Sequence, residues 1–198
     1  MSTGYFDAHN HWQDSSFDTD RAGITSLLQT LNIRRMVVNG TTENDWPRVQ
    51  ALAANDPSIT PSFGLHPWFT AERTSDWAQS LKQILISAPS AIGETGLDRY
   101  ISNYDIADQK IVFEHHLHLA VELNRPITIH CLYAVDDLLA VLERVPASHA
   151  LLQIAQLFGT ARAVWVTNEL ARFAQRIGEF LADRIHLALG PDERVDDS

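Results

Sequence analysis

The sequence predicts an α/β fold built on a parallel sheet, and three observations predict it. Short apolar runs rich in β-branched residues alternate with longer segments at helical spacing. The alternation continues from Tyr5 to about Leu142 with no break in composition. The residues able to carry chemistry fall where short apolar runs end, which is where parallel α/β folds place their reactive groups. Five such units suit a barrel or an open doubly wound sheet equally well, and periodicity alone does not choose.

Tyr5-Phe6-Asp7 is the first short strand. Thr19 to Leu31 follows as a helix, with Ile24, Leu27, Leu28 and Leu31 at helical spacing. Met36-Val37-Val38 is the second strand, ended by Asn39-Gly40, and Trp46 to Asn55 is the next helix. Thr60 to Phe63 is the third strand. Thr74 or Ser75 is the expected cap of a helix running to about Ser87. Ala91-Ile92-Gly93 is the fourth strand. Asp105 to Leu123 is the clearest helix, with Phe113, Leu117 and Ala120 on one face. Its mid-helix His115, His116 and His118 read as a solvated or partly buried face. Pro126 to His130 is the fifth strand, and Val135 to Leu142 a helix. After Pro146 the pattern changes. Ala150 to Phe158 and Val164 to Leu181 read mainly as helix, with a strand possible at Ala150-Leu151-Leu152 or at Ile185 to Leu189. The polar end, Asp192 to Ser198, reads as frayed.

The 198 residues, 45% of them hydrophobic, are enough for one core, and a single domain over residues 1–198 is expected. Acidic residues outnumber basic ones 25 to 15, a net charge of -10. That balance argues against broad electrostatic binding to nucleic acid, though not against a nuclease whose metal ions supply positive charge locally. The single cysteine, Cys131, excludes an internal disulfide framework and suits a reducing, cytoplasmic setting. No basic segment followed by an apolar run opens the chain, and no apolar stretch approaches the ~20 residues that span a bilayer.

Four stretches carry the candidate chemistry. In Asp7-Ala8-His9-Asn10-His11, residues two apart on a strand share a face, so His9 and His11 project together as a half-site for zinc or a similar metal. In Ala91 to Asp98, Glu94 directly follows a buried apolar strand, and Gly93 and Gly96 let the backbone turn tightly beside it. In Ile127-Thr128-Ile129-His130, a β-branched run ends on a histidine. In Phe63 to Trp68, Pro67 stiffens a turn beside His66. Each piece alone is equally an ordinary core or surface residue. Together they place His, His, Glu and His on one rim, with His66 nearby, and scattered core histidines would not converge so.

The stretches FDAHNH, GLHPW, AIGETGLDRY and RPITIHC resemble, in order and spacing, those of the TatD family of deoxyribonuclease-like metallohydrolases. The helix between the last two fits as well, including Gln109 and Phe113. The resemblance covers about residues 5–145, with 146–198 divergent. It implies a TIM-barrel-type metallohydrolase fold, incomplete at about five βα units and followed by a helical C-terminal region. It also implies one or two divalent ions (Zn, Mg or Mn). By position, His9 and His11 would bind one ion, Glu94 would bridge two as the catalytic carboxylate, His130 would bind the second, and His66 would contact a substrate phosphate.

The family's later motifs, His-x-Phe-Ser-Gly-like and Glu-Thr-Asp-x-Pro-like, have no counterpart here. In one alignment Ala150 to Gln153 is the sixth strand, with Gln153 where the histidine belongs. In the other, the intervening strands are deleted and Ile154 to Gly159 begins the closing helices. His149, His186 and Asp192 are possible substitutes that no motif surrounds. The expected function is hydrolysis of ester bonds, chiefly phosphodiesters of DNA, by metal-activated water. The alternative is a catalytically impaired relative that serves as a metal-binding or interaction module. Five strands leave an open sheet edge, so a helical tail or a second copy of the chain is expected to cover it.

Overall fold

The computed structural model describes residues 4–145 and 152–155. The chain divides into two units, Met1–Gln156 and Leu157–Ser198, and every described residue belongs to the first. Among the described residues six strands form one sheet: β1 (Tyr5–Asn10), β2 (Ile33–Asn39), β3 (Ile59–Phe63), β4 (Ala91–Asp98), β5 (Ile127–Leu132) and β6 (Leu152–Ala155). Between them run α1 (Arg21–Thr30), α2 (Trp46–Asn55), α3 (Trp77–Ser87), α4 (Ile106–Leu123) and α5 (Val135–Arg144). All pairings are parallel, and the spatial order equals the chain order, β1 to β6. A doubly wound sheet reverses its strand order at a switch point, whereas a barrel adds each strand beside the last. The sequential order therefore settles the choice that periodicity left open. The sheet is part of a TIM-barrel-type fold.

β4 is the centre of the structure, and all eight of its residues are buried. It lies between β3 and β5 and beneath α4, so it has no solvent face and no alternating pattern. Gly93 (φ 122°) and Gly96 (φ 144°) occupy backbone that L side chains avoid, and a Cβ on Gly96 would lie 2.0 Å from the His130 carbonyl oxygen. The β4–β5 seam closes only because these two positions lack side chains. Two bulges sit at the same end of the sheet. Four residues of β4 (Ile92 to Thr95) span three of β5 (Ile127 to Ile129), and four of β1 (Asp7 to Asn10) span three of β2 (Met36 to Val38). An extra residue bends a strand and re-aims its side chains. These bulges fall at Gly93-Glu94 and Ala8-His9.

α4 is held at both ends. Asp105 accepts hydrogen bonds from the amides of Ala107 and Asp108, both at 3.0 Å, and Asn124 closes the helix in the left-handed conformation. Here the structure departs from the solvated or partly buried reading of its histidines. His118 is exposed and His115 half-buried, but His116 is fully buried. His116 Nδ1 donates to the Val112 carbonyl (2.7 Å), and Nε2 accepts the Leu65 amide (3.1 Å). The ring also stacks on Trp77 at 5.4 Å. A histidine with both nitrogens satisfied is tolerated in a core that a bare polar ring would destabilise.

Other departures are local. Asp76, not Thr74 or Ser75, occupies the N-cap of α3, because Thr74 is drawn to Glu43 by its amide and hydroxyl, each at 2.7 Å. The apolar stripe of α1 is not buried, and Leu27 and Leu31 remain more than half exposed. This helix makes its main contact with the sheet at β2, and its outer stripe stays exposed. At Leu152–Ala155 the helical reading fails, since the backbone there continues the ladder beside β5; this strand shares only Leu152 with the strand alternative at Ala150 to Leu152. The helix expected over Val164 to Leu181, the strand alternative at Ile185 to Leu189, the candidates His149, His186 and Asp192, and the cover of the open edge lie outside the described residues.

Candidate metal centre at the carboxyl end of the sheet

The carboxyl ends of β1 and β5, the bulge in β4 and the turn after β3 bring all five expected side chains together. His9 Nε2 lies 3.4 Å from His11 Nε2 and 3.2 Å from Glu94 Oε2, and His11 Nε2 lies 3.3 Å from that same oxygen. His130 Nδ1 lies 3.1 Å from Glu94 Oε1. His66 Nε2 lies 3.1 Å from His130 Nδ1 and 3.8 Å from Glu94 Oε1. Glu94 thus turns one oxygen toward each histidine pair. It is fully buried, His66 and His130 nearly so, while His9 and His11 are half-buried toward the mouth.

Neighbouring backbone sets these orientations. The Glu94 amide donates to the Gly40 carbonyl at 3.0 Å, across the end of β2. His11 Nδ1 donates to the Asn39 carbonyl at 2.9 Å, which leaves Nε2 with its lone pair free. Gln13 Nε2 donates to the same carbonyl at 2.6 Å, and Asn39 Nδ2 lies 3.3 Å from His9 Nδ1. His66 caps the 3-10 turn Pro67–Glu72, its Nδ1 accepting the Trp68 amide at 3.2 Å. An amide only donates, so the neutral His66 ring carries its proton on Nε2 and faces the cluster as a donor.

The charges follow from these contacts. Burial pushes the Glu94 carboxyl up, but the close imidazoles of His11, His130 and His9 outweigh it and hold the group far below the ordinary carboxylate range. Burial pushes His130 down, yet its contacts with Asp98 and Glu94 raise it to about 9. His66 falls to about 3 through burial and then the neighbouring His130 charge. His11 rises despite burial, because Glu94 and the Asn39 carbonyl favour its charged form. The centre is an anionic carboxylate ringed by imidazoles of different protonation.

The donor set fits a divalent cation. Bonds of about 2.0–2.2 Å in tetrahedral geometry space their ligand atoms about 3.3–3.6 Å apart, close to the separations within His9, His11 and Glu94. Glu94 Oε2 is buried within ion-pair distance of two ring nitrogens, yet makes no well-directed hydrogen bond to either. Lone pairs converging on one point produce that pattern. His66, Glu94 and His130 form a second group with ligand atoms in range of one another.

Three contributors were not singled out from sequence. Asp98 is fully buried at the end of β4, with Oδ2 2.8 Å from His130 Nε2. Its only signal was its place within AIGETGLD. Asn39 read as a strand terminator and is instead a buried support for His9 and His11. Gln109 enters from sequence only within the helix that fits the family, with no role assigned, and its side chain reaches back to clamp the Asp98 backbone.

Comparison with known proteins bears on this arrangement. A profile of the family "TatD related DNase" matches residues 6–157. The 3'-5' ssDNA/RNA exonuclease TatD of Pantoea ananatis is 32% identical over 142 residues, covering 70% of this chain and 54% of that protein. The uncharacterized metal-dependent hydrolase YabD of Bacillus subtilis is 29% identical over 139 residues, again 70% of this chain and 54% of that one. Among solved structures, the TatD homolog YjjV from Escherichia coli K12 superposes with a TM-score of 0.68 at 25% identity, over 73% of this chain and 56% of that one. A TatD family hydrolase from Entamoeba histolytica shares the fold, with a TM-score of 0.68 at 16% identity over 76% and 57% of the two chains. The chain therefore spans about half the length of the curated relatives it matches. A match that takes in most of the sequence, over the very stretches that build the cluster, places this chain in the TatD related DNase family.

Proposed function

We propose that the chain is a metal-dependent hydrolase of phosphoesters, with phosphodiesters of DNA as its substrate class. One observation carries the reading: two imidazole nitrogens and a buried carboxylate oxygen lie 3.2–3.4 Å apart at the carboxyl end of a barrel-type sheet. His9, His11 and Glu94 would hold one cation, and Glu94 with His130 a second. The nitrogen-rich set suits zinc or manganese better than magnesium. A cation held there supplies Lewis acidity toward a phosphoryl oxygen and makes water a nucleophile near neutral pH.

The residues' own work follows from their protonation. Glu94 stays ionised and joins the two histidine pairs. His66, neutral with its proton on Nε2, is a donor suited to a phosphoryl oxygen of the substrate and unsuited to ligation through that atom. The names of the TatD relatives support a nucleic-acid substrate. Among the described residues no helix is long and apolar enough to cross a membrane, and a cytoplasmic setting forms part of the same proposal.

The test is release of nucleotides from a labelled single-stranded oligonucleotide, before and after chelation, for wild type and Glu94→Ala. We expect chelation and the substitution each to lower the rate at least about 100-fold, the scale of losing a principal electrostatic contributor. A rate indifferent to both overturns the proposal. A second reading, a relative that binds cations without turnover, draws on one observation. The β6 register sets Gln153 level with Thr128 and Ala155 level with His130, so β6 brings no imidazole or carboxylate beside His130. Zinc binding with no turnover on any oligonucleotide would favour it.

A further inference from the structure

We propose that Asp98 is the positioning residue for His130: it fixes the ring so that Nδ1, and not Nε2, is the nitrogen offered to a cation beside Glu94. Groups that can only donate surround the Asp98 carboxylate. Asp98 Oδ2 lies 2.7 Å from the indole Nε1 of Trp68, and Oδ1 lies 2.6 Å from the Tyr100 amide and 3.2 Å from the Ile101 amide. An indole N–H and backbone amides have no acceptor role. The carboxylate is therefore an acceptor at both oxygens, and His130 Nε2, 2.8 Å from Oδ2, must be a fourth donor. With Nε2 committed to its proton, the ring turns Nδ1 to Glu94 Oε1 at 3.1 Å.

The carboxylate is itself held in place. Gln109, buried on α4, accepts the Asp98 amide at 2.8 Å and donates to the Asp98 carbonyl at 3.1 Å. One glutamine thus grips both sides of one residue and ties the orientation of His130 to α4. Such partners behind a ligand choose its tautomer, and their loss weakens metal affinity by about 10–100-fold. The role assigned to Nδ1 rests on the metal-centre reading, whereas the proton on Nε2 does not.

Nitrogen-15 NMR of the full chain, labelled at histidine and recorded in chelator and then with zinc, tests both halves. We expect His130 Nε2 to carry a proton in both conditions, and Nδ1 to move to a metal-bound shift on zinc addition. In Asp98→Asn the Tyr100 and Ile101 amides claim the remaining oxygen, so an NH2 group faces Nε2. The ring should then carry its proton on Nδ1, and zinc at this position should weaken about 10–100-fold, with the His9 and His11 response unchanged. Trp68→Phe removes another donor from the same oxygen and should leave His130 unaltered, which separates tautomer control from general disturbance. If Asp98→Asn fails to fold, the wild-type spectrum still decides. A His130 ring in wild type with Nε2 unprotonated overturns the proposal. Zinc leaving Nδ1 unmoved overturns its cation half, and also removes the metal-centre reading only if His9 and His11 are unmoved as well.

Discussion

His116 shows how a single buried side chain outside the metal cluster can set a pH limit. Burial lowers its pKa to about 4 from an ordinary 6.5, against a smaller opposing effect of the Val112 carbonyl. The folded state therefore resists a proton that the unfolded chain accepts. The stability linked to this residue is complete above about pH 6.5 and is lost as pH falls toward 4, a change of about 3 kcal/mol. Urea unfolding of wild type and His116→Gln at pH 7 and pH 4.5 checks this, since glutamine keeps an acceptor for the Leu65 amide but takes no proton. The variant should lose distinctly less stability between the two pH values, and equal losses would remove the assignment. The same ring marks where reading by residue stops. His9, His11, Glu94, His66 and His130 stand out because each follows a short apolar run, a pattern visible within a few positions. His116, Asn39 and Asp98 act on partners 28 to 51 positions away, and no local pattern records such a contact.

At the level of strands and helices, β4 governs the site. Its bulge presents Glu94, its end presents Asp98, and its two glycines let β5 come close enough to bring His130 against both. Gly96→Ala adds a Cβ where the His130 carbonyl already sits, on backbone with φ 144°. We expect a loss of about 2–4 kcal/mol in denaturant unfolding, together with weaker zinc binding, because the strand carrying His130 must move. A stability change under 1 kcal/mol would show the seam to be looser than its geometry. Most elements were legible from apolar spacing, including α2, α4 and the central strands. The stripe of α1 misled because spacing reports amphipathicity and not whether a sheet face exists to receive it. β6 stood only as an alternative, since a four-residue strand is too short for its period to separate from a helical turn.

For the molecule as a whole, the acidic balance limits how a polyanion can be held. With 25 acidic residues against 15 basic, attraction for nucleic acid must come from the cluster and from a few donors rather than from a basic face. The affinity for a labelled single strand, measured by anisotropy with zinc from 50 to 300 mM salt, should therefore fall with a log–log slope no steeper than about −3. A slope near −6 or beyond would reveal a basic track that the composition does not suggest. The charge balance and the α/β class were readable from the chain as a whole, whereas the order of the strands required coordinates.

That order also bears on how the protein is made. Each described strand pairs with the one synthesised just before it, Met36 with Ile59 and Ile92 with Ile127, so among the described residues no pairing waits for a distant part of the chain. Loop closure between successive strands is correspondingly cheap in entropy. A nascent polypeptide leaving the ribosome can therefore lay down its sheet one strand at a time. The histidines of β1 would then wait, already shaped, for the carboxylate that arrives with β4.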